Sequence, residues 1–235
     1  MPAEPERLWQ YVTGSKVYTP PVSDGERLYG VAFKGGVFAL DFNGKEIWTK
    51  QLTRGVDEEG NPVKATVDAP PAVKEGILVV GTARGRVHAL DTATGEEKWS
   101  VEVSGAVLGT PLFAPLPSGE AALFVLSQDD GVLHCLNPET GETRWTSEGF
   151  ERCDGSAAVA NGRAVYGSCA AALHVYSLED GSHQRDIEID QDSQIAAGVA
   201  LIGDSVFAGA RSGKVLHANA KTGEVLWVND NSDSE

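Results

Sequence analysis

A short hairpin motif with a tryptophan at its end recurs along this chain. It reads VHALDTATGEEKW at residues 87–99, LHCLNPETGETRW at residues 133–145 and VLHANAKTGEVLW at residues 215–227. Two further copies are VFALDFNGKEIW, ending at Trp48, and a degenerate LHVYSLEDGSHQ, ending at Gln184. Successive copies end 51, 46, 39 and 43 residues apart. A period near 40 residues is typical of four-stranded propeller blades and of some helical repeats.

Local chemistry favours strands over helices. Each copy alternates apolar and polar residues with period 2, interrupted at short intervals by glycine, proline or Asn-Gly. Each unit contains four strand candidates, and the fourth carries the tryptophan. A four-stranded sheet that is apolar on both faces cannot bury them alone, whereas copies arranged around an axis cover one another. The sequence therefore predicts an all-β fold, a β-propeller of four-stranded antiparallel blades.

The repeat predicts a single domain of five full blades with an additional N-terminal strand. This strand lies in residues 1–16, around Trp9, and is similar to the last strand of a preceding or closing blade. Two arrangements are compatible with this pattern. The chain forms either a closed five-bladed ring with a spare strand or a part of a larger ring. Residues 231–235 are predicted to be a polar tail. The five blades are assigned to residues 17–51, 67–103, 107–148, 153–188 and 194–230.

The turn between the third and fourth strands explains why the motif repeats. In the second copy, the Asp91 carboxylate can accept hydrogen bonds from backbone N–H groups just ahead of it, and Thr94 can bond locally. Gly95 supplies a left-handed position. Trp99 offers a large flat surface and one N–H that needs a partner. The same roles are predicted for the corresponding residues of the other copies, which are Asp41 and Trp48, Thr140, Gly141 and Trp145, and Thr222, Gly223 and Trp227.

The pattern Ala-Leu-Asp-x-x-Thr-Gly-x-x-x-Trp, matched fully by residues 89–99, resembles the tryptophan-docking repeat of the pyrroloquinoline-quinone-like β-propellers. Asn137 and Asn219 replace the Asp in two copies, and the turn of the first copy is one residue shorter. The degenerate fourth copy departs most, with Gln184 aligned to the tryptophan. The resemblance implies a family of quinoprotein dehydrogenases, outer-membrane assembly scaffolds and binding proteins. It also implies an extracytoplasmic or periplasmic location and seven or eight blades, although no signal peptide is visible here.

No catalytic residue, bound cofactor or metal ligand is predicted. A quinoprotein dehydrogenase, as the resemblance implies, needs about eight blades, a calcium site, a catalytic Asp and a disulfide between adjacent cysteines. This chain is much shorter and has no Cys-Cys pair. We therefore predict a non-enzymatic binding or scaffold module for protein–protein interaction. A small-ligand or metal-binding sensor domain is the alternative, and a quinone-dependent dehydrogenase is the least favoured.

The net charge of the chain excludes some classes of binding partner. The 34 acidic residues against 19 basic ones give a net charge of −15, which argues against nucleic acid and anionic lipid as partners. There is no apolar run of about 20 residues, so membrane insertion is not expected. The predicted partner is another protein, and an incomplete ring would favour self-association through its uncovered blade faces. The insertion Thr53–Val67 and the loop Pro115–Ala121 depart from the minimal repeat and are the candidate contact surfaces.

Histidines and acidic residues are assigned structural roles. His88, His134 and His174 share one repeat position, which Phe38 and Leu216 fill in the other copies, so this position is predicted to be a packing slot. The remaining histidines, His183 and His217, show no evident cluster. The acidic stretch DEEGN at residues 57–61 lacks the ligand spacing of an EF-hand loop and is predicted to be solvated.

The spacing of two cysteines does not decide whether they form a disulfide. Cys153 and Cys169 flank the Asn161-Gly162 turn, and with a two-residue turn they miss direct opposition by one residue. A three-residue loop or a bulge would bring them opposite each other. A disulfide between Cys153 and Cys169 and a pair of buried thiols are the two alternatives.

Overall fold

The chain folds into five four-stranded antiparallel sheets and one two-stranded sheet. A computed structural model describes residues 6–189 and 194–230, so the expected tail at 231–235 and the first five residues lie outside the described residues. Strands are the only regular elements in the described part of the chain. The predicted all-β class is confirmed.

Each four-stranded sheet, here called a blade, consists of four strands in chain order. Blade one contains β1 (Val22–Ser23), β2 (Leu28–Ala32), β3 (Gly36–Leu40) and β4 (Glu46–Gln51). The two-stranded hairpin that follows contains β5 (Thr53–Val56) and β6 (Pro62–Lys64). Blade two contains β7 (Ala72–Lys74), β8 (Ile77–Gly81), β9 (Arg86–Asp91) and β10 (Glu97–Glu102). Blade three contains β11 (Leu112–Pro115), β12 (Ala121–Leu126), β13 (Leu133–Leu136) and β14 (Thr143–Thr146). Blade four contains β15 (Ala158–Ala160), β16 (Arg163–Gly167), β17 (Ala172–Ser177) and β18 (His183–Glu188). Blade five contains β19 (Ala200–Ile202), β20 (Ser205–Gly209), β21 (Lys214–Asn219) and β22 (Val225–Asp230).

The core lies between successive blades. In blade one, Tyr29, Ala39 and Trp48 are cross-strand neighbours on one face and pack against blade two. We call this the forward face of a blade and the opposite side its rear face. Because strand side chains alternate between faces, apolar residues on both sides of the three inner blades are buried against the two neighbouring blades. The equivalent forward-face rows are Val79, Ala89 and Trp99 in blade two, Phe124, Cys135 and Trp145 in blade three, and Val165, Val175 and Arg185 in blade four.

Tryptophans of one blade dock on the glycine turn of the next. Trp48 Nε1 donates to the Thr92 carbonyl oxygen at 2.9 Å, and Trp99 Nε1 donates to that of Pro138 at 2.9 Å. Their rings lie on Gly95 and Gly141, where a Cβ would come within 2.6 Å of the ring. Both glycines have positive φ angles, 73° and 75°, so the turn requires glycine for its backbone as well as for the contact.

The residues that begin each turn hold it in shape. Asp91 Oδ1 accepts the N–H groups of Ala93 and Thr94, both at 2.9 Å, and Asn137 and Asn219 accept the equivalent pairs in blades three and five. Asp41 Oδ1 accepts the N–H groups of Asn43 and Lys45 in the shorter turn of blade one. Thr94, Thr140 and Thr222 each accept, through Oγ1, the N–H two residues ahead. Asparagine therefore substitutes for aspartate here because only the acceptor oxygen is used.

The N-terminal segment differs from the expected additional strand. Residues 6–16 form no strand, yet Trp9 docks as the blade tryptophans do, with Nε1 donating to the Phe42 carbonyl oxygen at 2.9 Å and its ring on Gly44. Tyr11 contacts Phe38 with ring centroids 5.1 Å apart. The segment thus crosses the rear face of blade one, and a chain that lies across a sheet face has no neighbouring strand edge with which to form a ladder.

In blade four the alignment of Gln184 with the tryptophan is wrong. Pairing in the sheet places Arg185 opposite Val175, the position that Trp145 holds opposite Cys135 in blade three. The Arg185 side chain lies over Gly223, with Cδ 3.4 Å from where a Cβ would stand. Its aliphatic stem therefore covers the turn of blade five in place of an indole ring.

Blade five presents its tryptophan to solvent. Trp227 is 44% exposed, whereas Trp48 and Trp99 are 8% and 9% exposed. Its neighbours His217 and Phe207 stack on each other with ring centroids 4.4 Å apart. The turn of blade one, on which a ring-closing tryptophan would dock, is occupied by Trp9. The forward face of blade five is therefore exposed.

Two glycine substitutions distinguish the stability cost of a clash with a docked tryptophan ring from the cost of backbone strain. Gly141→Ala introduces a methyl group that meets the Trp99 ring, and we expect it to lower the free energy of unfolding by about 2–4 kcal/mol. Gly119→Ala is the matched control, because Gly119 also has positive φ, 89°, but has no atom within 4 Å of the new Cβ. We expect a loss of about 1 kcal/mol for the control. Urea unfolding followed by circular dichroism measures both, and equal losses would contradict docking at Gly141.

Removing a docked and an undocked tryptophan should have unequal effects. Trp99→Ala deletes a buried ring and its hydrogen bond, so we expect a loss of about 3–5 kcal/mol in the free energy of unfolding. Trp227→Ala deletes a half-exposed ring and should cost about 1 kcal/mol or less. Urea unfolding at matched protein concentrations measures the difference. A comparable loss for both variants would show that Trp227 is covered in solution.

Candidate functional site

The hairpin β5–β6 stands outside the blades, within the insertion singled out at Thr53–Val67. Its base is fixed to blade one, because Leu52 N donates to the Gly35 carbonyl oxygen at 2.8 Å and Ala65 N donates to that of Leu52 at 3.0 Å. Leu52 and Ala65 are both 2% exposed. The hairpin is thus carried by the turn between β2 and β3 and leaves the body of the molecule from an anchored base.

The hairpin tip is acidic and exposed. Asp57 Oδ1 accepts the N–H groups of Glu59 at 3.0 Å and Asn61 at 2.8 Å, and the hydrogen bond from the Asn61 backbone is the main cause of a lowered pKa at Asp57. Val56 beside the tip is 67% exposed. The Asp57 carboxylate therefore closes the turn, as expected for a solvated loop. Val56, Glu58 and Glu59 are exposed, and Glu59 Oε2 accepts a hydrogen bond from Asn61 Nδ2 at 3.3 Å.

The second singled-out segment, Pro115–Ala121, is a tight connection between β11 and β12. Gly119 N donates to the Leu116 carbonyl oxygen at 2.9 Å, and Glu120 pairs with Arg144 at 3.3 Å. In an antiparallel blade the connection between first and second strands lies at the opposite end from the connection between second and third strands. This loop and the hairpin consequently lie at opposite ends of their blades, and the two candidate contact surfaces are separate.

The three histidines of the shared repeat position are buried. His88, His134 and His174 are 4%, 7% and 1% exposed. His88 Nδ1 lies 2.6 Å from Glu97 Oε2, and burial lowers the pKa of His88. His134 Nε2 lies 3.1 Å from Ser104 Oγ. Each histidine thus occupies a packed position and has at least one polar neighbour.

The prediction that His183 belongs to no cluster is wrong. His183 Nε2 lies 2.8 Å from Asp186 Oδ1, and His174 Nδ1 lies 2.7 Å from the same oxygen. Burial alone would raise the pKa of Asp186, but the hydrogen bonds from His183 and His174 outweigh it and lower the pKa below its ordinary value. The cluster could not be read from sequence spacing, because it depends on a bulge in β18. His217, by contrast, lies in the aromatic stack of blade five with Phe207.

The cysteines are thiols in the structure. Cys135 and Cys153 are buried and Cys169 is partly buried, and none forms a disulfide. The Cys153 Sγ donates to the Glu151 carbonyl oxygen at 3.2 Å. Burial raises the pKa of Cys153 to about 12 and that of Cys135 to about 11. Cys153 is thus a buried thiol and Cys169 a partly buried one, and thiols with pKa values as high as those of Cys153 and Cys135 are poor nucleophiles at neutral pH.

The described residues contain no helix of the length and apolarity needed to span a bilayer.

The sequence matches a protein-family profile over residues 34–234, and that family is described as outer membrane protein assembly factor BamB. A relative of that name from Xanthomonas campestris pv. campestris is 38% identical over 93 residues, which cover 39% of this chain and 22% of the relative. Those from Yersinia pestis and Escherichia coli (strain K12) are 24% and 27% identical, each covering 95% of this chain and 60% of the relative. The chain therefore spans no more than about three fifths of the length of these relatives.

Solved structures agree on the fold. BamB from Moraxella catarrhalis superposes with a TM-score of 0.72 at 22% sequence identity, covering 94% of this chain and 64% of that one. The computationally designed Ika8 protein superposes with a TM-score of 0.71 at 20% identity, covering 90% of this chain and 61% of that one. These likenesses establish the β-propeller fold, and the profile match over residues 34–234 shows that the chain belongs to the family of outer membrane protein assembly factor BamB.

Proposed function

We propose that this protein is a non-enzymatic scaffold that binds another protein during the assembly of outer-membrane proteins, and that it acts in the periplasm. The proposal is supported by the family match over residues 34–234 and by relatives whose names describe an assembly factor. These findings favour a protein-binding role over a small-ligand sensor or a quinone-dependent dehydrogenase.

The observation that carries a binding role is the hairpin β5–β6. Its base is buried and hydrogen-bonded to blade one, whereas Val56 near its tip is 67% exposed. A two-stranded hairpin has two unpaired strand edges and little core of its own, so a partner strand that pairs with one edge would satisfy backbone groups and cover the apolar side chain. Glu58 and Glu59 at the tip favour a basic partner surface, because complementary charge speeds encounter and excludes acidic competitors.

Substitutions of exposed residues on the hairpin β5–β6 should weaken partner binding without changing the stability of the fold. A variant with Val56→Ser, Glu58→Lys and Glu59→Lys alters only exposed side chains, so its melting temperature should match that of the unchanged protein. In the native host depleted of the endogenous protein, we expect several-fold weaker co-purification with the outer-membrane assembly machinery. The amount of folded outer-membrane β-barrel protein, measured by heat-modifiable gel mobility, should fall in parallel.

The matched control reverses charge at the opposite end of the molecule. Glu139→Lys with Glu142→Lys changes two exposed acids beside the docking turn of blade three, and we expect co-purification to stay unchanged. If the hairpin variant co-purified as well as the control, the hairpin would not be the contact surface. If depletion of the protein itself left folded outer-membrane protein unchanged, the proposed scaffold function would be overturned.

We also propose self-association through the forward face of blade five. Trp227 is 44% exposed on the outer strand of that blade, in the forward-face row with Phe207 and His217. Trp9 occupies the turn of blade one, so stacking in register would require the N-terminal segment to leave, whereas two forward faces can pair directly. In sedimentation at high micromolar concentration we expect a dimer that Trp227→Glu converts to monomer. A monomeric unchanged protein at that concentration would contradict this contact.

A further inference from the structure

A polar cluster on the rear face of blade four is built from three positions of the repeat. His174 lies on β17 directly opposite Asp186 on β18, and His183 pairs with Tyr176 nearer the turn. Residues three apart on a regular strand point to opposite faces. The ladder is interrupted by a register shift between Val175 and Tyr176, and this bulge brings His183 and Asp186 to the same face.

Three ligand atoms converge in this cluster. The His174 Nδ1, the His183 Nε2 and an Asp186 carboxylate oxygen all lie within 4.8 Å of one another. Both imidazole nitrogens face the same oxygen, Asp186 Oδ1, at 2.7 and 2.8 Å. Two imidazoles and a carboxylate aimed at one point form a donor set suited to Zn²⁺, Co²⁺ or Ni²⁺ rather than to Ca²⁺ or Mg²⁺, which prefer all-oxygen sites.

We propose that His174, His183 and Asp186 bind a divalent transition-metal ion, with Zn²⁺ the best match. Ligands about 2.1 Å from an ion at tetrahedral angles lie about 3.4 Å apart. The contacts of 2.7 and 2.8 Å to Asp186 Oδ1 must therefore lengthen by roughly 0.7 Å to admit an ion. His183 can supply that movement, because 28% of its side chain is exposed, against 2% for His174.

The surroundings of His174 orient it as a metal ligand. Its second nitrogen, Nε2, lies 2.7 Å from Ser168 Oγ, and Nδ1 is directed at the site. When Nδ1 binds an ion, Nε2–H can donate a hydrogen bond to Ser168 Oγ. Phe150 stacks on the imidazole with ring centroids 4.5 Å apart. Ser168 and Phe150 therefore hold the ring in one orientation before any ion arrives.

The site is open to solvent on one side. His174, Asp186 and Phe150 line a depression of about 390 Å³, which is large enough for water to complete the coordination of a bound ion. Asp186 keeps 33% of its side chain exposed. An ion can thus enter without displacing any strand, and one coordination position remains available to water or to an external ligand.

Blade two provides a natural comparison within the chain. Its register makes His88, Glu97 and Ser100 the equivalents of His174, His183 and Asp186. His88 also contacts an acidic neighbour, with Nδ1 2.6 Å from Glu97 Oε2, but the third position is a serine hydroxyl. The same scaffold thus presents a complete donor set in blade four and an incomplete one in blade two.

Metal titration of the tag-free protein tests the site. We expect one equivalent of Co²⁺ to bind with the visible absorption of a low-coordinate nitrogen and oxygen site, and Zn²⁺ to displace it. His183→Ala and Asp186→Asn should abolish this signal, and Ser168→Ala should weaken binding by about tenfold. Zn²⁺ should also raise the melting temperature of the unchanged protein but not that of His183→Ala.

His88→Ala is the matched control and should bind Co²⁺ as the unchanged protein does. Circular dichroism of the metal-free variants confirms that each is folded, and His183→Ala is the more informative variant because its side chain is partly exposed. Retention of the Co²⁺ signal in His183→Ala, or no saturable binding by the unchanged protein at millimolar Co²⁺, would overturn the proposal. Neither outcome would bear on the scaffold function, which depends on the hairpin at blade one.

Discussion

The contact between a tryptophan ring and the glycine turn of the next blade is the interaction on which the whole array depends. It buries one of the largest apolar side chains and at the same time gives the indole N–H a carbonyl partner, as in Trp48 to Thr92 and Trp99 to Pro138. Both requirements must be met, because an unpaired buried N–H would cancel part of the gain from burial. The glycine is obligatory since any Cβ would enter the ring. Blade stacking is therefore specified by two residues that lie far apart in the chain.

Two blades depart from this contact, one by losing the indole hydrogen bond and the other by replacing the ring. The Nε1 of Trp145 lies over the turn of blade four with no hydrogen-bond partner in the described residues, and Arg185 replaces the aromatic ring on the turn of blade five. Both departures fall at blade four, which also carries the cluster of His174, His183 and Asp186. A metal ion bound there would link the third and fourth strands of this blade.

The outer face of the first blade is covered, whereas that of the last blade is exposed. The rear face of blade one is crossed by residues 6–16, with Trp9 on the Gly44 turn, whereas the forward face of blade five has Trp227 exposed. The hairpin β5–β6 projects from blade one at the end opposite the docking turns. The binding surfaces that we propose are therefore features that the repeat does not use for stacking, each with an exposed apolar side chain on an anchored backbone.

The sequence by itself determined the all-β repeat, the turn chemistry at residues such as Asp91 and Gly95, and the tryptophan that ends four of the five blades, because strand alternation and turn conformation are local properties. Only the tertiary structure decided that Arg185, not Gln184, takes the fourth tryptophan position, and that His183 joins His174 and Asp186. A bulge adds one residue to a strand and reverses which side chains share a face, and its place depends on pairing with another strand. The same holds for residues 6–16, which carry a strand-like pattern but cross a sheet face.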